Sequence, residues 1–258
     1  MRIGVFDSGL GGLTVLKSML DLLPPADFVY LGDTARLPYG SKSAATIENY
    51  TEQNLKFLKS KNVDVMVIAC NSASAYFLKT EFENTPVFTV IGPTAEAALL
   101  NTQNKKIGLL ATRATVNSQA YQKKISELDS EAIVTAQASP LLVPFAEEGL
   151  IDDPLTNLIS FRYVQTLLKE NVECVILGCT HYPLLIHSLQ KAVGDLPLIE
   201  SGPALSYHMI RELNLSKSTE KKKSTVEIYT TDQLGHFQIW AEKILQPYTC
   251  DSWNLINL

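Results

Sequence analysis

Short, uninterrupted apolar runs rich in β-branched residues alternate along the chain with longer stretches in which apolar residues recur every three or four positions. Ile3-Gly4-Val5-Phe6 reads as a strand, Gly12 to Leu23 as a helix with one apolar face, and Phe28 to Leu31 as a second strand. A long helical pattern follows from Ala44 to Lys59, then a strand from Val63 to Ala69, a helix from Ser74 to Glu83 and a strand from Val87 to Ile91. Strands this short and this uniformly apolar, separated by helices, predict a parallel sheet covered on both faces. Ligands of such sheets gather beyond the carboxyl ends of the strands.

The pattern then restarts. Lys106-Ile107-Gly108-Leu109-Leu110 echoes Arg2-Ile3-Gly4-Val5-Phe6, Val172 through Cys179 aligns without a gap on Val63 through Cys70, and Pro197 through Pro203 echoes Pro86 through Pro93. Three matches in one order, each about 100 residues apart, predict two similar α/β units of ordinary domain size. Beyond Pro203 come a helical stretch to Leu213, a polar loop with Lys221-Lys222-Lys223, a strand from Val226 to Tyr229 and a helix from Gln233 to Leu245. This tail is too short for a third unit and is expected to pack back on the first. The expected domains are therefore residues 1–93 with 206–258, and residues 94–205.

Composition narrows the class. With 46% hydrophobic and 19% charged residues in 258, the chain has material for a substantial core and is neither disordered nor a collagen-like repeat. Twenty-two Lys and Arg against 27 Asp and Glu give a net charge of −5, which argues against a nucleic-acid partner and requires an anionic substrate to be held by local groups. No apolar run approaches a membrane span, and Met1-Arg2-Ile3 leads directly into strand-like sequence, so a cytoplasmic location with no membrane partner is expected.

Four cysteines are too few for a disulfide scaffold and are expected as free thiols. Cys174, in mid-strand, and Cys250 read as packing residues. Cys70 and Cys179 stand where apolar runs give way to Asn71-Ser72-Ala73-Ser74 and Thr180-His181-Tyr182-Pro183. In a parallel sheet that is a strand's carboxyl end before a helix N-terminus, where backbone N–H groups and the helix dipole favour a thiolate or a bound carboxylate. His181 is placed to tune the second thiol, and both are expected to be acidified. A zinc site is not expected, because Cys174 and Cys179 would lie about 16 Å apart along one strand.

The first strand runs into Asp7-Ser8-Gly9-Leu10-Gly11-Gly12, a tight glycine turn that meets only part of a dinucleotide-binding pattern and carries an acid that repels phosphate. Asp7 and Ser8 are the residues here expected to face a ligand. Gly32-Asp33-Thr34-Ala35-Arg36-Leu37-Pro38-Tyr39-Gly40 forms a turn-rich loop on the same rim, and Phe145-Ala146-Glu147-Glu148 offers adjacent acids. Two thiols at equivalent edges of two related units would face each other across the cleft. That is the requirement of a racemase without a cofactor, in which one base removes the Cα proton and the opposite acid returns one to the other face.

DSGLGGLTV, GDTARLPYG, ACNSAS, PFAEEG and GCTHYP, in this order and spacing, resemble the glutamate racemases of the aspartate/glutamate racemase superfamily over residues 3–205. The resemblance implies two flavodoxin-like, doubly wound α/β domains with the active site between them. It also implies no metal and no pyridoxal phosphate or other cofactor, a homodimer, and a supply of D-glutamate for peptidoglycan and hence cell shape. Cys70 and Cys179 match the catalytic thiols, Asp7 and His181 their respective assistants, and Glu147 an auxiliary acid. Substrate contacts fall on Asp7, Ser8, Tyr39, Gly40, Asn71, Ser72, Thr180 and His181. The family usually carries Thr where this chain has Ser72, which keeps the hydroxyl. His181 after Cys179-Thr180 favours glutamate over aspartate as substrate. A two-domain binding protein and a nucleotide-binding protein using the Gly9–Gly12 loop are the alternatives from other classes.

Overall fold

The computed structural model describes residues 1–216, 223–232 and 234–258; Lys221 and Lys222 of the lysine run, and Gln233, lie outside them. The strands are β1 (Arg2–Asp7), β2 (Asp27–Gly32), β3 (Val65–Ile68), β4 (Glu81–Phe82), β5 (Thr85–Thr89), β6 (Lys106–Ala111), β7 (Ile133–Ala138), β8 (Cys174–Gly178), β9 (Leu198–Glu200), β10 (Thr225–Thr230) and β11 (Ser252–Leu255). The helices are α1 (Leu13–Leu22), α2 (Ala44–Ser60), α3 (Asn71–Ser74), α4 (Ile91–Leu99), α5 (Arg113–Ser118), α6 (Ala120–Leu128), α7 (Leu142–Glu147), α8 (Pro154–Lys169), α9 (Ile186–Val193), α10 (Ser201–Glu212) and α11 (Leu234–Leu245).

Two sheets organise the molecule, in the orders β11-β10-β2-β1-β3-β5-β4 and β7-β6-β8-β9. The run β2-β1-β3-β5 of the first and the whole of the second share one strand order. The three sequence echoes fall on equivalent strands: β1 on β6, β3 on β8, and β5 on β9. β10 and β11 extend the first sheet beyond β2, pairing Thr225–Thr230 with Asp27–Gly32 and Glu227–Thr230 with Ser252–Leu255.

Side chains of the first sheet divide by alternation. Ile3, Val5, Phe28, Tyr30, Val65 and Val67 enter one core with α1 and α11, while Phe6, Val29, Leu31, Met66 and Ile68 enter another with α2. The second sheet divides likewise, Val175 and Leu177 to one side and Cys174 and Ile176 to the other. Each fully buried aliphatic or aromatic side chain contributes about 1.5–3 kcal/mol, so both sheets are anchored from both faces.

Several expected elements differ. In place of a helix over Ser74–Glu83, α3 ends at Ser74, and β4 and β5 form an antiparallel hairpin pairing Glu81 with Pro86 and Phe82 with Thr85. Glu83 and Asn84 turn with φ of 45° and 59°, the left-handed backbone of a two-residue hairpin. Tyr76, which packs against the cores of both sheets and donates from its hydroxyl to the Ala114 carbonyl at 3.1 Å, ties this stretch to the second sheet. β4 is accordingly an antiparallel edge on a sheet expected to be parallel throughout. Ile91 opens α4 and does not belong to β5. Cys174 is the first residue of β8, because Glu173 before it turns its carboxylate back to accept from the backbone N–H groups of Gln103 and Asn104. β7, β11 and the hairpin strand β4 carried no strand expectation.

Candidate active site

The carboxyl rims of the two sheets meet, and the residues that follow β1, β3, β6 and β8 converge on one cleft. Ser8, Tyr39, Gly40, Cys70, Asn71 and Ser72 line it from the first unit, and Thr112, Cys179, Thr180 and His181 from the second. Between β1 and β3, and again between β6 and β8, successive crossovers run in opposite directions, which opens a crevice at each rim. Asp7 and Glu147 stand just behind the wall.

Cys70 caps the N-terminus of α3 with its backbone extended, and its thiol donates to Ser8 Oγ at 3.7 Å. Burial, followed by the negative charge of Asp7, pushes this thiol up to about 12. For Cys70 the direction is opposite to the expected acidification, because desolvation outweighs the helix terminus and favours the protonated thiol. Asp7 is itself buried and held above the ordinary carboxylate range by desolvation. It accepts from the Gly9 N–H at 3.0 Å and from Thr180 Oγ1 at 3.1 Å, the latter across the two units.

Cys179 has a different surround. His181 Nδ1 lies 3.8 Å from Cys179 Sγ, and His181 Nε2 is hydrogen-bonded to Glu147 Oε1. Burial alone would lower the imidazole, but its hydrogen bonds to Cys179 and Glu147 and the charges of both raise it well above its usual value. Burial opposes ionisation of Glu147 as well, yet His181 holds it below the usual range. An imidazolium thus stands against the second sulfur. Glu148, the neighbouring acid, lies just past the end of α7 and is exposed.

The meeting of the two units requires close backbone approach. A Cβ at Gly11 would stand 2.5 Å from both His181 Nδ1 and Thr180 Oγ1, and one at Gly40 would stand 2.6 Å from Thr112 Cβ and Cγ2. The Gly9–Gly12 loop is therefore occupied by protein: Gly9 bonds to Asp7 and Tyr30, and Gly11 abuts the second unit. It leaves no open phosphate cradle. Tyr39 lines the cleft, and its hydroxyl is engaged within the first unit, bonding to Asp33 and accepting from Asn54 Nδ2 at 2.9 Å. Buried Asp33 also binds Arg36 Nε at 2.7 Å, and this ion pair fixes the loop.

Cys174 is buried at the far end of β8 from Cys179, with its thiol on the Ala98 carbonyl, and Cys250 is half-buried. Among the described residues no group of three or more His, Cys, Asp or Glu side chains gathers as metal ligands, and no helix is long and apolar enough to cross a membrane.

A model of the Asp/Glu/Hydantoin racemases matches residues 3–207. The chain belongs to this family. It is 45% identical over 248 residues to a glutamate racemase of Aquifex pyrophilus, covering 95% of this chain and 94% of that protein. A solved glutamate racemase isoform of Bacillus anthracis superposes with a TM-score of 0.93 at 32% identity, covering 100% of this chain and 97% of that one. One from Francisella tularensis, solved with D-glutamate, superposes with a TM-score of 0.86 at 35% identity, over 100% of this chain and 97% of that one.

Within this racemase fold, three site residues escaped the sequence reading. Thr112 Oγ1 lies 2.9 Å from Ser72 Oγ and joins the units at the cleft. Its signal was present, since the β1–β6 echo carried two residues further places Thr112 opposite Ser8. Tyr121 Oη donates to Asn71 Oδ1 at 2.7 Å, and Tyr30 Oη donates to the Gly9 carbonyl at 2.7 Å. Tyr121 lies in an amphipathic helix and Tyr30 in a uniformly buried strand, both ordinary patterns, and only their tertiary position marks them.

Proposed function

We propose that the chain interconverts L- and D-glutamate without a bound cofactor, by a 1,1-proton transfer between two thiols. The observation that carries this reading is the pair Cys70 and Cys179, at equivalent strand ends of two similar units and lining one cleft from opposite sides. One sulfur, as thiolate, takes the Cα proton. The electron pair left behind delocalises into the α-carboxylate, and the opposite thiol gives its proton to the other face. The roles exchange in the reverse direction.

The charge state described above suits one half of this cycle. Cys70 is a protonated acid, and the His181 imidazolium, anchored by Glu147, stands ready to support negative charge on Cys179. Asp7 assists Cys70, and His181 assists Cys179. Ser8, Asn71, Ser72 and Thr180 supply donors to the substrate carboxylates, with Tyr39 and Gly40 as wall. A thiolate is a modest base, so the barrier falls mainly through fixed dipoles around the developing carbanion and exclusion of water.

The supply of D-glutamate serves peptidoglycan synthesis in the cytoplasm. On this reading the two domains are residues 1–93 with 206–258 and residues 94–205. The working form is a homodimer, for which exposed Leu155, Leu158 and Phe161 along α8 offer an apolar face.

Deuterium exchange tests the chemistry. In heavy water, either enantiomer of glutamate acquires deuterium at Cα as it racemises, while Cys70→Ser and Cys179→Ser each lose racemisation in both directions. Near-wild-type turnover in either variant would sink the two-thiol reading, and binding without exchange would favour a binding protein.

A further inference from the structure

Asn71 has an unusual accounting. It is buried beside Cys70 and lines the cleft, and its Oδ1 accepts from Tyr121 Oη, yet its Nδ2 has no hydrogen-bond partner in the protein. A buried amide donor left unpaired costs about 1–3 kcal/mol, so its retention points to a partner that arrives with the ligand. The two ends of a carboxamide have opposite chemistry. Turned one way, Asn71 presents two N–H donors to a substrate carboxylate; flipped, it presents a carbonyl oxygen that repels it.

The hydroxyl that selects between these states comes from the other unit. Tyr121 is fully buried on α6, with its ring in the core against the second sheet and its hydroxyl flanked by Thr94 and Ser201. Its proton reaches across to Asn71 Oδ1 at 2.7 Å. We propose that Tyr121 is a positioning residue for the racemase reaction: by donating to Asn71 Oδ1 it holds the carboxamide with Nδ2 facing the substrate carboxylate. Tyr121 touches no reacting atom. It acts through Asn71 and rests on the reading of Asn71 as a substrate contact. The bond joins the two units across the cleft.

The test is a double-mutant cycle read on KM and kcat for both enantiomers of glutamate, followed by circular dichroism. Tyr121→Phe keeps the ring and its packing. It is expected to raise KM about tenfold for L- and D-glutamate alike, the loss of one charge-assisted hydrogen bond, with kcat within a fewfold of wild type. Asn71→Ala raises KM at least as much, and adding Tyr121→Phe to Asn71→Ala changes nothing further. An unchanged KM in Tyr121→Phe alongside an impaired Asn71→Ala overturns the positioning role alone. An unchanged KM in Asn71→Ala overturns the reading of Asn71 and this proposal with it. Multiplicative effects of the two substitutions assign Tyr121 a general packing role and overturn the proposal as well.

Discussion

Replacing Gly40 by alanine tests whether the site is made by the meeting of two units. The added Cβ would stand 2.6 Å from Thr112 Cβ and Cγ2, where ordinary carbon contacts begin near 3.4 Å. Gly40 is not among the residues with positive φ, so alanine adopts its backbone without strain and the conflict lies wholly between the units. Thr112 gives way poorly: its Oγ1 caps α5 by accepting from the Thr115 N–H at 3.2 Å and is bonded to Ser72. The rims must separate by about 1 Å, and a misplacement of that size costs about 100-fold in rate. We expect kcat/KM for glutamate to fall by that factor, equivalent to about 2.7 kcal/mol of transition-state stabilisation. The unfolding midpoint should stay close to wild type. Gly235→Ala is the control, because its Cβ meets nothing within 4 Å. Activity in Gly40→Ala within twofold of wild type, measured by circular dichroism from each enantiomer, would refute the reasoning.

Two further substitutions address the electrostatics. Glu147→Gln removes a charge that raises His181, so the imidazole will titrate at lower pH by NMR and the alkaline limb of the pH–rate profile will move down. The same pair has a stability signature: His181, raised on folding, stabilises the fold below its unfolded pKa and loses this as pH rises through its folded value. Glu147, lowered on folding, stabilises above its unfolded pKa and loses this as pH falls through its folded value, so both limbs should flatten in the variant's denaturation profile. Asp33→Ala leaves the Arg36 guanidinium without its buried carboxylate and releases Tyr39, which denaturant unfolding should register as a loss of about 3–5 kcal/mol. A loss below 1 kcal/mol would mean that Arg36 finds solvent or another partner.

The two cysteines were legible because each ends an apolar run of the same length and is followed at once by polar residues. A strand end that precedes a helix is a local feature, and the internal echo placed both at equivalent rims. The acidity of Cys70 was not legible. It depends on desolvation and on the neighbours gathered around the sulfur, and burial and Asp7 reversed the expected direction. The glycine loop shows the same division: a tight turn was readable, whereas its occupation by His181 and Thr180 of the other unit was not.

Alternation and period, which are properties of neighbouring residues, determined the layered α/β build, the twofold repetition and the rims on which chemistry sits. Contacts between residues far apart in the chain decided the rest. Tyr76 packed against the second sheet where a helix was expected, Glu147 came to His181, Thr112 met Ser72 and Gly40, and Tyr121 reached Asn71. Such pairings follow from how two units close on each other. Local pattern encodes which face of an element is buried but not which distant side chain will lie against it, and the charge and orientation of every group in this cleft depend on that second quantity.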